Sequence, residues 1–216
     1  MYFPIYNLCD GGIGSIQTSQ AGSMTTKGVP NDFFVVFNPL IIIILIPILE
    51  TIVYPFLRRF RIEFYPVYRI AFGFLVAVCS QVAGAVIQHR IYVTSPCGHF
   101  ATQCQMVSPL SGWLEVTPYL LQAASECFAM TTAYELAYTR SPPHMKGLVM
   151  ALFLFISAIS AAISQAIDPA LTDPYLIWPF VACAVAGFVT TILFVFQFRN
   201  LHRVMEKERL EREGLS

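Results

Sequence analysis

Long runs of apolar residues, separated by shorter polar stretches, dominate the hydrophobic pattern of this chain. Five of the runs are close to the roughly 20 residues that a helix needs to cross a bilayer. They cover residues 33–57, 67–88, 113–139, 146–167 and 175–198, with approximate bounds. The pattern therefore predicts an all-α integral membrane protein with about five transmembrane helices.

The two ends of the chain differ from these runs. Residues 1–32 are rich in Gly, Ser, Thr and Gln and are too polar to span lipid as an isolated helix. Taken alone, this stretch favours a loop or a disordered arm. Residues 199–216 alternate in charge sign, and Glu208 and Arg212 have the four-residue spacing of a solvated helix. We predict a short cytoplasmic tail helix there, with a partner-binding tail as the alternative.

The composition narrows the class of protein. Hydrophobic residues make up 56% of the chain and charged residues only 12%, against about 25% charge in a soluble domain. The net charge is zero, so nothing in the charge pattern favours binding to nucleic acid. The sequence also contains no GxSxG, HExxH or P-loop motif. We therefore expect a membrane protein that is not an enzyme and that has no cofactor.

Basic residues predict the orientation of the chain, because Lys and Arg favour cytoplasmic loops. When the loops are assigned alternately to two sides, one side holds eleven basic residues and the other holds only Lys27 and Arg90. We therefore expect the C-terminus to lie in the cytoplasm. The loops 89–112 and 168–174 are then expected outside.

Carboxylates within the predicted spans are the first candidates for function. A charged side chain at the bilayer centre costs roughly 2.5–3.5 kcal/mol and normally faces a bundle interior or an aqueous cavity. Glu126 lies near the middle of the third span, and we interpret it as functional, with a buried structural hydrogen bond as the alternative. Glu135 lies on the opposite face, where pairing with Arg140 or Arg69 would make it structural. For Glu50, in the first span, both interpretations stay open.

Proline interrupts the first predicted span at Pro39 and again at Pro47. Proline inside a helix removes a backbone hydrogen bond and frees a carbonyl, and membranes tolerate this beside polar groups or a cavity. Transporters use such interrupted helices to build substrate sites. Asn38, which both donates and accepts hydrogen bonds, is therefore a candidate binding residue, with a helix cap as the alternative.

One polar loop contains Cys97, His99 and Cys104, which superficially resemble metal ligands. A fourth ligand is missing and the spacing fits no zinc pattern. The charge asymmetry places this loop outside, where conditions are oxidising, so we predict a disulfide between Cys97 and Cys104 and no metal site.

Short motifs spread along the whole chain carry a family resemblance. They are FPIY (3–6), SQAG (19–22), GVPND (28–32), NPL (38–40), SPCG (95–98), PYLLQAASECFA (118–129), YELAYTRSPPHMKGLVMALFLF (134–155) and AAISQAI (161–167). The run from Ser125-Glu126 to Gly147 is the most specific of them. In these motifs the chain resembles the proton-dependent oligopeptide transporter family, in its fungal peptide-transporter branch.

The resemblance implies a fold similar to the major facilitator superfamily, which has twelve helices in two six-helix bundles. The five predicted spans then correspond to the last five helices. Residues 1–32 become the end of the preceding helix and its outer loop. The implied function is proton-coupled transport of di-, tri- or oligopeptides, with small peptides and protons as partners and the plasma membrane as the location.

The resemblance also implies roles for individual residues. The residue that matches Glu126 lines the central cavity and meets the amino terminus of the peptide, and its protonation couples to transport. The residue that matches Asn38 contacts the peptide backbone or its carboxylate end. Ser125, as a peptide-binding residue, and Glu50, as a proton-coupling residue, are weaker inferences from position.

The sequence departs from the family pattern in two respects. Asn7, Asp10 and Gly12 stand where the family tends to have aromatic residues and a Gly-Gln pair. The first seven helices of the family are also missing or nearly so. Because alternating access needs two bundles around one site, transport would need a chain that supplies the N-terminal bundle. The alternative is a transport-inactive remnant, or a regulatory fragment that binds a full-length transporter through the small-residue face formed by Ala158, Ala162 and Ala166.

Overall fold

The computed structural model describes residues 2–10, 14–26, 28–59, 65–103, 107–167 and 175–198. The predicted outer loop 168–174 and the predicted tail helix 199–216 lie outside these residues. In chain order the helices are α1 (Tyr2–Asp10), α2 (Gly14–Gly22), α3 (Phe37–Ile48), α4 (Tyr54–Arg59), α5 (Pro66–Thr94), α6 (Val116–Arg140), α7 (Lys146–Ile167) and α8 (Ile177–Phe198). Two short strands are β1 (Met24–Thr25) and β2 (Ser108–Ser111).

Four helical stretches in the described part of the chain are long and apolar enough to cross a membrane. They are Asn31–Phe56, Pro66–Thr94, Lys146–Ile167 and Ile177–Phe198. The fifth predicted span coincides with α6, which has 25 residues and contains more polar side chains than α3, α7 or α8. These polar side chains include the ones that form the site described below.

Helix α5 lies at the centre of the bundle and packs against both α6 and α8. Glycine allows these close approaches. A Cβ atom at Gly73 would lie 2.7 Å from the backbone nitrogen of Ala129, and one at Gly84 would lie 2.7 Å from the ring of Phe180. Both distances are shorter than real Cβ contacts, so a larger residue would force the helices apart.

Residues 2–10 and 14–22 form two helices that pack into the bundle, so the loop or disordered arm expected for the isolated stretch is wrong for these residues. The reason is tertiary. Helix α1 contacts α5, α7 and α8, and its Tyr6 is stacked on Phe74 of α5 with ring centroids 4.6 Å apart. Tyr6 and Phe74 belong to a buried cluster with Ala129 and Phe194. A short polar helix gains this burial only when its neighbours are present.

The prolines predicted to interrupt the first span do not end the helix, because Asn31–Phe56 forms one continuous helical stretch. Pro47 lies inside α3, and the helix continues through a π-helical turn over Leu49–Val53 before α4 begins. The hydroxyl of Thr51 donates to the carbonyl of Pro47 at 2.5 Å, which helps to satisfy the local backbone. Pro39 lies within the first turn of α3, where a missing N–H costs little.

The connection after α2 joins the α5–α6 connection at one end of the bundle. Strands β1 and β2 are parallel, and the backbone nitrogen of Ser108 donates to the carbonyl of Ser23 at 2.9 Å. Nearby, Cys97 is disulfide-bonded. Its predicted partner Cys104 lies outside the described residues, so the pairing stays a prediction. No group of three metal-binding side chains occurs in the part of the chain that the structure covers.

Two helices leave most of their apolar surface uncovered. In the most apolar segment of each helical stretch, the buried share of residues is 11% for Asn31–Phe56 and 6% for Lys146–Ile167. The corresponding share is 44% for α5 and for α8. The predicted packing residues Ala158, Ala162 and Ala166 are exposed on α7. These helices therefore form the open faces of the bundle.

Candidate functional site

Glu126 occupies the middle of α6, and its carboxyl faces α3. The side-chain amide of Asn38 donates to Oε1 of Glu126 at 2.8 Å. Helix α3 packs along α6, which brings these two residues together although 88 positions separate them. A hydrogen bond to a charged group is stronger than one between neutral groups, so Asn38 stabilises an acid that lipid alone would disfavour.

Two further side chains surround the Glu126 carboxyl. Gln122 lies one turn earlier on α6 and hydrogen-bonds Glu126. Asp10, the last residue of α1, also interacts directly with the Glu126 carboxyl. Three helices therefore converge on one acid, and a second carboxyl group lies beside it.

Ser125 and Tyr6 form the buried wall of this site. The hydroxyl groups of Tyr6 and Ser125 are 2.8 Å apart, and both residues are almost completely buried. Asp10 interacts with both of them. Ser125 therefore connects α6 to α1 and fixes the position of the neighbouring Glu126.

The site has acceptor oxygens in excess of donors. Oδ1 of Asp10, Oδ1 of Asn38 and Oε1 of Gln122 have no hydrogen-bond partner among the described residues. The described groups that act on the carboxyls of Asp10 and Glu126 include no Lys, Arg or His. Because buried polar atoms are usually paired, this arrangement is suited to a ligand that donates hydrogen bonds and carries positive charge.

A second polar cluster lies toward the basic end of the helices. Glu50, Tyr54, Pro55, Arg69 and Glu135 line a cavity of about 480 Å³. The guanidinium carbon of Arg69 lies 4.2 Å from the ring centroid of Tyr54, a cation–π contact. Glu135 and Arg69 share this cavity, which is compatible with the structural interpretation of Glu135 as a partner of Arg69.

The structure brings together three of the four residues predicted for binding or proton coupling. Asn38, Ser125 and Glu126 lie in one cluster, whereas Glu50 lies in the second cluster with Arg69. Sequence reasoning missed Asp10 and Gln122. Asp10 was visible only as a departure from the family pattern. Gln122 could have been found from the sequence, because it is a polar residue one turn from a mid-helix acid on the same helix.

Comparison with protein families gives a match over most of the chain. The sequence model described as "PTR2: POT family" matches residues 1–184. The chain is 55% identical over 215 residues to "Peptide transporter PTR2" of Candida albicans, an alignment that covers 100% of this chain and 34% of that protein. It is 38% identical over 213 residues to "Probable peptide transporter ptr2" of Schizosaccharomyces pombe, covering 99% of this chain and 34% of that protein.

The fold has relatives among solved structures. The crystal structure of an auto-inhibited POT family peptide transporter superposes with a TM-score of 0.73 at 22% identity, covering 91% of this chain and 38% of that chain. The in meso crystal structure of the POT family transporter PepTSo gives a TM-score of 0.74 at 20% identity, covering 94% of this chain and 40% of that chain. The predicted all-α membrane fold of the major facilitator type is therefore confirmed. The chain spans about a third of the length of the sequence relatives named above.

Proposed function

The chain belongs to the POT family, and from this premise we propose that it forms the C-terminal bundle of a proton-coupled peptide transporter. The observation that carries the proposal is the environment of the Glu126 carboxyl at mid-helix. Asn38 donates a hydrogen bond to it, and acceptor oxygens without a described partner lie around it. The described groups that act on this carboxyl include no basic side chain. A scaffold gains little from such an arrangement, since it places a costly acid inside the bundle. A binding site for a cationic group explains it.

In this proposal Glu126 binds the amino terminus of the peptide. The α-ammonium group is positively charged and carries three N–H donors, so it matches a carboxylate beside unpaired acceptors. The contact is strengthened because Glu126 is only partly exposed to water. Glu126 is also the residue whose proton uptake would couple to transport, because it would carry a proton when the peptide cation leaves.

Asn38 has two roles in the proposal. Its Nδ2 donates to Glu126, while its Oδ1 is left without a described donor. The free acceptor is suited to a backbone N–H of the peptide. Ser125 is completely buried and bonded to Tyr6, so we assign it a positioning role rather than direct contact with the peptide.

Glu50 is the weaker candidate for proton coupling. It lies with Arg69 and Glu135 around the second cavity, in the same helical stretch as Asn38 but toward its other end. A proton at Glu50 would change the charge balance with Arg69. Protonation of Glu50 would thereby act on the helical stretch that also carries Asn38.

The expected membrane is the plasma membrane, with the C-terminus in the cytoplasm. Arg59, Arg69, Arg140 and Lys146 all lie at or near helix ends that meet on one side of the bundle. This common side supports the orientation expected from the loop charges.

The test is proton-driven dipeptide uptake into liposomes. We expect an inward proton gradient to drive uptake of labelled Ala-Ala by the chain co-reconstituted with a relative's N-terminal bundle. Glu126→Gln should lower uptake at least tenfold, because amide replaces carboxylate in the proposed amine contact. The matched control is Asp32→Asn, an exposed acid outside both polar clusters, which should keep most of the uptake. Absence of uptake by the chain alone and by the combined bundles would refute the proposal.

A further inference from the structure

We propose that Glu115 is a proton-binding site separate from Glu126, and that its carboxyl carries a proton for as long as the elements around it stay packed. Glu115 ends the short 3-10 helix Gly112–Glu115, directly before α6. It lies at the end of the bundle where β1 and β2 pair, and roughly 16 Å of helix rise separates it from Glu126. The inference does not depend on the proposed transport function, because it concerns a different acid.

The first step is that protein encloses Glu115 without compensating a charge on it. Its side chain is 0% exposed, and neither carboxyl oxygen has a hydrogen-bond partner among the described residues. Burial alone acts on its protonation in the described part of the chain, where no Lys, Arg or His contributes. A buried carboxylate without a cation or hydrogen-bond donors is far more costly than the neutral acid. The carboxyl therefore binds a proton.

The second step concerns α2, which packs against the helix Gly112–Glu115. Helix α2 has the sequence GSIQTSQAG and contains no charged residue. It is fixed to α5, because the side-chain amide of Gln20 donates to the carbonyl of Gly84 at 3.0 Å. The amide nitrogen of Gln20 is thus occupied, whereas its Oε1 has no partner among the described residues. Helix α2 therefore brings no cation to this end of the bundle.

The third step concerns α5, which also contacts the helix that ends at the acid. Two contacts fix the antiparallel register of α5 and α6. Gly73 lies against Ala129, and the hydroxyl of Ser80 donates to the carbonyl of Pro118 at 2.9 Å. The same register, continued along α5, brings Gln88 to the level of the segment before α6. Gln88 is 0% exposed and uncharged, so the buried face of α5 supplies no cation here either.

The titratable groups near Glu115 do not favour its ionised form. Glu115 and Asp32 both act electrostatically on Tyr119, one turn later on α6. A phenol is uncharged at neutral pH, and the negative charge of Asp32 would oppose a second negative charge. His89 and Arg90 of α5 are exposed to solvent, and neither acts on Glu115.

The bound proton makes the stability of the protein depend on pH. Burial raises the pKa of Glu115, which lies before α6 and outside the four apolar stretches, to about 8. In an unfolded chain a glutamic acid has a pKa of about 4.3. Between these two values the folded protein holds a proton that the unfolded chain has lost. The contribution of Glu115 to stability is therefore complete at low pH, falls as the pH rises through this window, and changes no further above it.

Thermal unfolding and infrared spectroscopy test the assignment. The 216-residue chain and its Glu115→Gln variant are melted in detergent at several pH values, followed by circular dichroism. Between about pH 5 and about pH 8, the unsubstituted chain should lose about 5 °C more in melting temperature than the variant. In the infrared spectrum near neutral pH, the difference between the two proteins should contain the carbonyl band of a protonated carboxyl, which shifts in heavy water.

The matched control is Asp32→Asn, an exposed acid at the same end of the bundle. It should keep both the pH dependence of the melting temperature and the protonated carboxyl band of the unsubstituted chain. If Glu115→Gln does not fold, Glu115→Met removes the same proton and provides the comparison.

Two results would overturn the inference. An equal fall in melting temperature for the unsubstituted chain and the Glu115 variants would show that the folded protein binds no extra proton there. A carboxylate band that disappears in the variants, without loss of a protonated carboxyl band, would show that Glu115 is ionised in the folded protein. Neither result bears on peptide uptake through Glu126, so the two proposals fail separately.

Discussion

At the scale of single residues, the central fact is that a mid-helix acid is stabilised by neighbours far away in sequence. Glu126 receives the amide of Asn38, and its own helix adds Gln122. Glu126 and Asn38 could be singled out from the sequence because each is unusual where it stands. Glu126 is a charged residue in an apolar run, and Asn38 is a polar amide next to a proline in another apolar run. Asp10 could not, since nothing in a polar stretch marks one carboxylate as buried.

A different buried acid allows a test of stability at the residue scale. Glu115 precedes α6, is 0% exposed, and neither of its carboxyl oxygens has a hydrogen-bond partner among the described residues. An unsatisfied buried polar group costs about 1–3 kcal/mol. Glu115→Met should therefore stabilise the protein by about that amount and raise the melting temperature in detergent, followed by circular dichroism.

The matched control for Glu115 is Glu135→Met. Glu135 is exposed and shares a cavity with Arg69, so removing its carboxylate should bring no gain in melting temperature. A lower melting temperature for Glu115→Met would mean that the buried carboxyl has a stabilising partner after all.

At the scale of elements, the helices are positioned by small residues, and one helical stretch contains a π-helical turn. Gly73 and Gly84 allow α5 to approach α6 and α8. The π-helical turn Leu49–Val53 follows Pro47 and contains Glu50, in the same helical stretch as Asn38. A local irregularity at Pro47 was predictable, because the missing N–H is a property of the residue itself. The close helix contacts were not, since an isolated glycine in an apolar run does not say which helix it faces.

Gly73 provides the test at this scale. A Cβ atom there would lie 2.7 Å from both the Cβ and the backbone nitrogen of Ala129, and a backbone atom cannot move aside alone. Overpacking of this kind costs about 1–3 kcal/mol. We expect Gly73→Ala to lower the melting temperature in detergent and to reduce the yield of folded protein.

The matched control is Gly147→Ala in α7, where a Cβ atom would have no neighbour within 4 Å. Alanine is favoured over glycine in a helix by roughly 1 kcal/mol, so this variant should be unchanged or slightly more stable. Similar losses for both variants would show that the α5–α6 contact is looser than the 2.7 Å distance implies.

At the scale of the whole molecule, the described helices pack around α5 and leave two helical stretches largely uncovered. The most apolar segment of α5 is 44% buried, whereas those of the α3 stretch and α7 are 11% and 6% buried. Apolar helices with so little cover require lipid or other helices around them. Most of the described basic residues near helix ends, such as Arg59 and Lys146, lie on one side, whereas Arg90 lies near the other end of α5. This asymmetry predicts the orientation in the membrane.

Epitope accessibility tests this orientation. A tag after Ser216 should be reached by antibody only after the cells are permeabilised, because the basic side is expected in the cytoplasm. A tag inserted after Pro96, in the exposed turn that follows α5, should be reached on intact cells. The opposite pattern of labelling would show that the charge asymmetry does not set the topology.

The sequence by itself determined the class of fold. It also predicted about five spans, of which four meet the length and hydropathy of a membrane span in the described part of the chain, and it singled out Glu126 as a candidate. These follow from local properties: the length and hydropathy of each run, the cost of a charge in lipid and the missing N–H of proline. Only the tertiary structure decided that residues 2–10 and 14–22 are packed helices and that Glu50 lies apart from Glu126. It alone brought Asp10 to Glu126. The physical reason is that burial and hydrogen-bond partners are supplied by neighbouring helices, which no single segment of the sequence specifies.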